Sequence, residues 1–308
     1  MASGSRTVIF AALIGNALIS ITKFVAASIT GSSAMLSEGI HSLVDTGNQV
    51  LLLYGLKRAA KPPDADFPFG YGKEIYFWSF IVAILIFALG GGISIYEGIQ
   101  HVLHPKPISN PVVNYVVLGL AMIFEGAAWY FAFREFNRVK GSWSYLEAVQ
   151  RAKDPTLFVV LFEDSAAMLG LMVAFMGVLL TQVTGILLFD GIASVIIGLI
   201  LIGTAVWLAY ETKGLLIGES ANRSIIRGIR NTLRGQSNVN HINEILTMHM
   251  GPDFILANIS VDFAKAISAQ DIEADIAAID RSIKQKYPQI KRVFIEAEKH
   301  SNKYPHHS

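Results

Sequence analysis

The chain of 308 residues contains no cysteine. Disulfides and thiolate metal sites are therefore excluded, any bound metal must rest on His, Asp, Glu or neutral oxygen, and the redox compartment stays undetermined. Charge is also scarce, at 16% of residues with a formal net charge of +1. No basic tract with interleaved aromatics occurs, so nucleic acid is not an expected partner. The N-terminus lacks a small-residue cleavage pattern and reaches its first apolar block within seven residues, so that block reads as a span and not as a signal peptide. What fills the chain instead is apolar: 52% hydrophobic residues and a mean hydropathy of +0.46, gathered in long blocks.

Six blocks are long enough to cross the hydrocarbon core of a bilayer: Val8–Ile29, Ala34–Leu56, Tyr76–Tyr96, Val112–Phe133, Leu157–Leu180 and Leu187–Tyr210. The links Gly31–Ser33 and Thr181–Gly185 are short, which makes the spans they join antiparallel neighbours. Basic residues gather on one face: Lys57, Arg58, Lys61 and Lys73 between spans two and three, and Arg134, Arg138, Lys140, Arg151 and Lys153 between spans four and five. The opposite face has Lys106. That bias places both termini in the cytoplasm.

Residues 1–210 thus read as an α-helical membrane domain of six transmembrane helices. From Glu211 the composition becomes that of a soluble protein, and residues 211–300 read as a small cytoplasmic α+β domain. Asn222–Leu233 is a helix with Ser220 as N-cap, and Ile242–Met250 and Phe254–Phe263 are strands joined by a Gly251-Pro252-Asp253 turn. Ile272, Ile276, Ile279 and Ile283 give Ala269–Tyr287 one apolar helical face, and Val293–Glu296 is a short closing strand. The domain is shorter than the roughly 100–150 residues usual for one, which favours pairing with a second copy. Residues 301–308, with His306 and His307, read as a disordered tail.

Two ionisable clusters interrupt the apolar blocks. Glu38, His41, Asp45 and Asn48 are spaced by three, four and three residues, forming one polar stripe on span two. Glu163 and Asp164 are adjacent in span five and point about 100° apart. A charge at the bilayer centre costs about 2.5–3.5 kcal/mol on insertion scales, more than interhelical hydrogen bonding needs, since Ser or Asn would serve that purpose. An imidazole and carboxylates converging from two helices suit a divalent cation. Of the acidic pair, one is expected to bind metal and the other to orient the shell or handle protons, unless one neutralises Lys23.

Elsewhere, Lys23 is placed to snorkel. Glu125 and Asp190 are expected to line the same cavity or gate it. Glu97, His101 and His104 are read as interfacial, and Gly90-Gly91-Gly92 as a helix-packing or kink element. In the soluble domain, His241, His249, Glu296, Glu298 and His300 fall near strand ends, Glu296 and Glu298 on one strand face. A regulatory metal site and a solvated strand end are both open there.

These residues resemble the cation diffusion facilitator family of divalent-metal exporters over nearly the whole chain. His41-Ser-Leu-Val-Asp45 matches the family's span-two motif. Ser37–Asn48, Phe69-Gly-Tyr-Gly72, Glu125-Gly-Ala and Leu161–Gly170 look like the branch containing the animal zinc transporter nine. The resemblance implies a ferredoxin-like cytoplasmic domain, a homodimer and a rocking helix bundle. It also implies one metal per protomer at His41, Asp45 and Asp164. Val160 stands where many relatives carry His or Asp, so Glu38 or Glu163 completes the shell, with water or Asn48 as further options. Phe67 and Tyr71 replace the histidines of the family's loop site, reducing it to Asp64 and Asp66. Of the cytoplasmic metal site, His241, Glu296 and Glu298 fall near matching places.

The resulting expectation is an integral membrane exporter of Zn²⁺ in exchange for protons, in the bacterial inner membrane, with Mn²⁺ or Fe²⁺ as alternative cargo. Its partners are the metal ion, protons, lipid and a second copy of the chain; it has no resident cofactor and is not an enzyme. Glu38 is favoured over Glu163 because it shares the helix face of His41 and Asp45, and Asn48 and Glu125 are assigned to protons or gating. A membrane metallohydrolase would carry a His-Glu-x-x-His helix, which is missing. A non-transporting sensor would keep the soluble site and lose the membrane one.

Overall fold

A computed structural model describes residues 3–140, 155–265 and 267–300. The expected tail at residues 301–308, and Arg151 and Lys153, lie outside the described residues. The chain divides into two compact units, Met1–Arg58 with Glu74–Lys213, and Ala59–Lys73 with Gly214–Ser308.

The first unit is helical: α1 (Ser3–Thr30), α2 (Ser33–Ala59), α3 (Glu74–Leu103), α4 (Pro111–Lys140), α5 (Pro155–Thr184) and α6 (Leu188–Ile217). Among the described residues, four helices are long and apolar enough to cross a membrane, lying within α3 to α6. α1 contributes a shorter apolar stretch, Asn16–Thr30. α2 has the length, but its buried polar stripe dilutes its hydropathy. α6 runs through the compositional break at Tyr210 and ends at Ile217.

α1 stops at Gly31, whose φ of 71° suits a left-handed C-terminal cap and whose N–H donates to the Ala27 carbonyl at 2.8 Å. α2 starts two residues later, and Asp190 of α6 receives its exposed donors. The Ser33 N–H and Ser32 Oγ each donate to this carboxylate at 2.5 Å, and Ser33 Oγ donates at 3.0 Å. An anion at a helix N-terminus satisfies both the orphan N–H groups and the macrodipole. Asp190 therefore clamps the α1–α2 turn to α6; it is not among the groups around His41.

The glycine triplet of α3 lies in a π-helical turn, Ile86–Gly92. Gly91 and Gly98 also let α3 pack backbone-to-backbone on α6. A Cβ on Gly98 would meet the Val195 nitrogen at 2.7 Å and the Gly191 carbonyl at 2.8 Å, and one on Gly91 would meet the Gly198 carbonyl at 3.0 Å.

The second unit holds α7 (Arg223–Arg234), β1 (Val239–Gly251), β2 (Phe254–Phe263), α8 (Ala269–Lys286) and β3 (Ile290–Ala297). This is the helix–strand–strand–helix–strand order read from the periodicities. β2 is central, antiparallel to β1 and parallel to β3. Its odd-numbered residues Ile255, Ala257, Ile259 and Val261 pack with Ile225, Ile229 and Leu233 of α7 and Ile279 and Ile283 of α8. On the other face Leu246, Asn258 and Phe294 stand in register across the three strands, and all are exposed. The N-cap of α7 is Asn222 and not Ser220: the Asn222 side chain accepts the Ser224 N–H at 3.0 Å.

Candidate functional site

The polar stripe of α2 is buried along its whole length: Glu38, His41, Asp45 and Asn48 are all under one-tenth exposed. Its upper part faces α5. Asn48 Nδ2 donates to Glu163 Oε1 at 2.5 Å, and the Asp45 and Glu163 carboxyls are neighbours close enough to act on each other directly. Asp164, half-buried, adds a third carboxyl close enough to act electrostatically on both. His41 Nδ1 lies 3.3 Å from Asp45 Oδ1, the contact their four-residue spacing allows. His41 Nε2 and Asn48 Oδ1 are buried without a hydrogen-bond partner among the described residues. Among the described residues no three His, Asp or Glu side chains converge closely enough to hold a metal ion. Glu163 is turned to Asn48, and the carboxyls are not splayed around one point.

Glu38 belongs to a different set of contacts. Its Oε2 accepts from Lys23 Nζ at 3.0 Å, both side chains having no exposure. Lys23 also donates to Ser42 Oγ at 2.7 Å and lies 3.9 Å from Glu125 Oε1. Lys23 is thus fully buried and does not snorkel. The stripe is split: Glu38 is bonded to Lys23 of α1, and Asn48, at the other end, to Glu163 of α5. Glu125 lies on the Lys23 side.

Sequence reasoning missed the pairing of Lys23 with Glu38, although the signal was present. α1 ends at Thr30 and α2 begins at Ser33, and Lys23 and Glu38 lie seven and five residues inside those ends. Residues at comparable depth in an antiparallel hairpin lie near one level. Ser20 Oγ donates to the Gly39 carbonyl at 3.2 Å across the same hairpin.

At the α1–α2 turn a cavity of about 580 Å³ is lined by Ser32, Ser33, Glu97, His101, His104 and Lys106. His101 is buried there, its Nε2 at 3.6 Å from Asp190 Oδ2, so it is no simple interfacial residue. In the second unit the rings of His241 and His300 lie 3.9 Å apart. His300 Nδ1 is 3.2 Å from Asn243 Oδ1, and Asn243 Nδ2 donates to the Glu298 carbonyl at 3.0 Å. The Glu298 carboxylate accepts from Ser260 Oγ at 2.9 Å. Glu298 lies one residue past β3, while Glu296, within it, is exposed. In the loop before α3, the Asp64 carboxylate accepts from Tyr71 Oη at 2.6 Å and from the N–H groups of Phe67 and Asp66 at 2.8 and 3.1 Å. The Tyr71 hydrogen bond, helped by the backbone donors, holds this carboxyl below its ordinary range.

The model of the cation efflux transmembrane domain matches residues 9–217, two-thirds of the chain. The chain belongs to the cation efflux family. This cation efflux protein is 34% identical over 263 residues to the human protein named proton-coupled zinc antiporter SLC30A9, mitochondrial, a match covering 84% of this chain and 46% of the relative. Its *Xenopus laevis* counterpart is 30% identical over 333 residues, covering 95% of this chain and 59% of the relative. Metal tolerance protein C4 of Arabidopsis thaliana is 31% identical over 261 residues, with 84% and 57% covered. The chain spans about half the length of these curated relatives. The matched domain contains every residue of both the α2–α5 cluster and the Lys23 network.

Proposed function

We propose that this efflux protein exports Zn²⁺ across a membrane in exchange for protons. The observation that carries this reading is the hydrogen bond from Asn48 of α2 to Glu163 of α5, which brings the Glu163 carboxyl beside that of Asp45. Two adjacent buried carboxylates repel, so a proton shared between them relieves the pair. A divalent ion entering between them displaces that proton, so exchange of metal for proton is built into the pair. His41, Asp45 and Asp164 supply ligands and Glu163 the fourth. Glu38, favoured from spacing alone, is withdrawn because Lys23 holds it. Asn48 orients Glu163. The names of the zinc antiporter relatives agree with this reading, and no catalytic role is assigned to any residue.

α1 and α2 are taken as membrane-crossing too, giving six spans. Leu18, Ile21, Val25 and Ile29 are exposed at helical spacing on α1, as are Leu43, Val50 and Tyr54 on α2, the outward stripe expected of helices in lipid. An even number of spans puts both termini on the basic, cytoplasmic side. The helix-free, exposed sheet face carrying Leu246 and Phe294 suits pairing with a second copy in a homodimer through a ferredoxin-like domain. The bacterial inner membrane is the favoured location. The manganese efflux system protein MneP of Bacillus subtilis is similar end to end, 24% identical with 97% of this chain and 96% of the relative covered.

The same similarity, together with a set rich in carboxylates, favours Mn²⁺ as the second reading of the cargo. Purified protein in proteoliposomes carrying an internal pH indicator tests both. Zn²⁺ movement with opposite proton movement supports the proposal, preferential Mn²⁺ movement supports the second reading, and no metal-dependent flux of Zn²⁺, Mn²⁺ or Fe²⁺ overturns both.

A further inference from the structure

Lys23 places its ammonium among buried carboxylates, beside the helix pair of the proposed transport site. Its ammonium bonds to Glu38 at 3.0 Å and to Ser42, the neighbour of His41, at 2.7 Å, with Glu125 at 3.9 Å. The other oxygen of Glu38, Oε1, is buried without a hydrogen-bond partner among the described residues and rests against Gly170 of α5, where even a methyl group would collide with it. Glu38 therefore reaches the same helix pair as the transport site, with one oxygen held by Lys23 and one uncommitted. Removing the ammonium would leave this carboxylate buried and unpaired, a costly arrangement that a nearby divalent ion would relieve.

We propose that Lys23 is a tethered counter-ion that sets the affinity of the transport site. It withholds Glu38 from the passing metal and keeps a positive charge beside His41, so the ion is held loosely enough to leave. This rests on the α2–α5 reading above. Lys23 does not touch the metal; it is a positioning residue that acts through Glu38.

The test is calorimetric titration of the full-length protein in detergent with Zn²⁺, for wild type, Lys23→Met and the double variant Lys23→Met/Glu38→Gln. Lys23→Met should bind Zn²⁺ at least about tenfold more tightly, the scale of one freed charge-assisted contact, and turn over more slowly in proteoliposomes. The double variant removes one charge of each sign and should return the affinity to the wild-type value. A purely structural lysine would weaken binding when lost, never strengthen it. Equal or weaker affinity in folded Lys23→Met overturns the proposal, as does a gain that survives in the double variant. If Lys23→Met does not fold, the double variant must be monodisperse with wild-type affinity, and its failure also overturns the proposal. Wild-type protein that binds no Zn²⁺ would instead overturn the parent reading, and this one with it.

Discussion

Asn48 donates its side-chain amide to Glu163 at 2.5 Å, across the interface between α2 and α5. Asn48 thereby fixes the direction of Glu163, whose carboxyl also meets Asp45. Two adjacent acids on one helix thus acquire different surroundings: Glu163 is buried and held by Asn48, Asp164 half-buried.

Glu163→Gln keeps the acceptor for Asn48 but loses the anionic oxygen. Zn²⁺ affinity should fall by about 10–100-fold, the usual cost of disturbing a metal shell, in a protein that remains folded. Calorimetry reads this directly, and unchanged affinity would return the fourth position to water.

Asp45→Ala and Asp164→Ala should each reduce Zn²⁺ flux in proteoliposomes to the protein-free background while the protein stays monodisperse. Each removes a negative ligand from a site shielded from water, where a divalent ion has little else to balance it. Substantial residual flux in either variant would remove that residue from the site.

Asp190→Ala strips the Ser33 N–H and the Ser32 and Ser33 hydroxyls of their common acceptor. Each buried donor left unmet costs about 1–3 kcal/mol, so thermal stability should drop clearly. Zn²⁺ affinity should hold, because Asp190 clamps the α1–α2 turn and not the cluster around His41. A variant as stable as wild type would show that the clamp contributes nothing.

Tyr71→Phe removes the largest influence holding the Asp64 carboxyl below its ordinary range. The group's pKa is depressed in the fold, so its contribution is present at neutral pH and is lost as pH falls through the folded value, below the ordinary value of about 3.9. Carboxyl-carbon NMR of labelled full-length protein should show Asp64 titrating at higher pH in Tyr71→Phe than in wild type. Identical titration curves would mean the hydroxyl does not set this carboxyl's behaviour.

Long, strongly periodic features were legible in the sequence. The isoleucines at 279 and 283 fell in the core as spaced, and β2 kept its boundaries because its alternation is regular. β3 began three residues earlier than read, at Ile290: its first residues, Ile290-Lys291-Arg292, gain their place from parallel pairing with β2, which leaves no alternating signature. Ser220 and Asn222 are both good caps by type, and position decided between them, since Asn222 directly precedes the first helical residue. At the site, the stripe on α2 was visible, but helical spacing reports which residues share a face and not which partner that face meets. Glu38 and Asn48 lie on one stripe and bond to different helices, because Lys23 comes from α1 and Glu163 from α5. The polar roles of Asp190 and His101 depend on α6 reaching the α1–α2 turn, a contact made by residues 157 positions apart.

The central claim is that the metal is held between α2 and α5 by His41 and carboxylates. Zinc K-edge absorption on full-length protein loaded with one equivalent of Zn²⁺ tests it most directly. The expected spectrum has a shell of nitrogen and oxygen at about 2.0–2.1 Å with the outer scattering of one imidazole, and that imidazole scattering disappears in His41→Ala. An imidazole signal that survives the substitution would place the ion elsewhere and contradict the assignment.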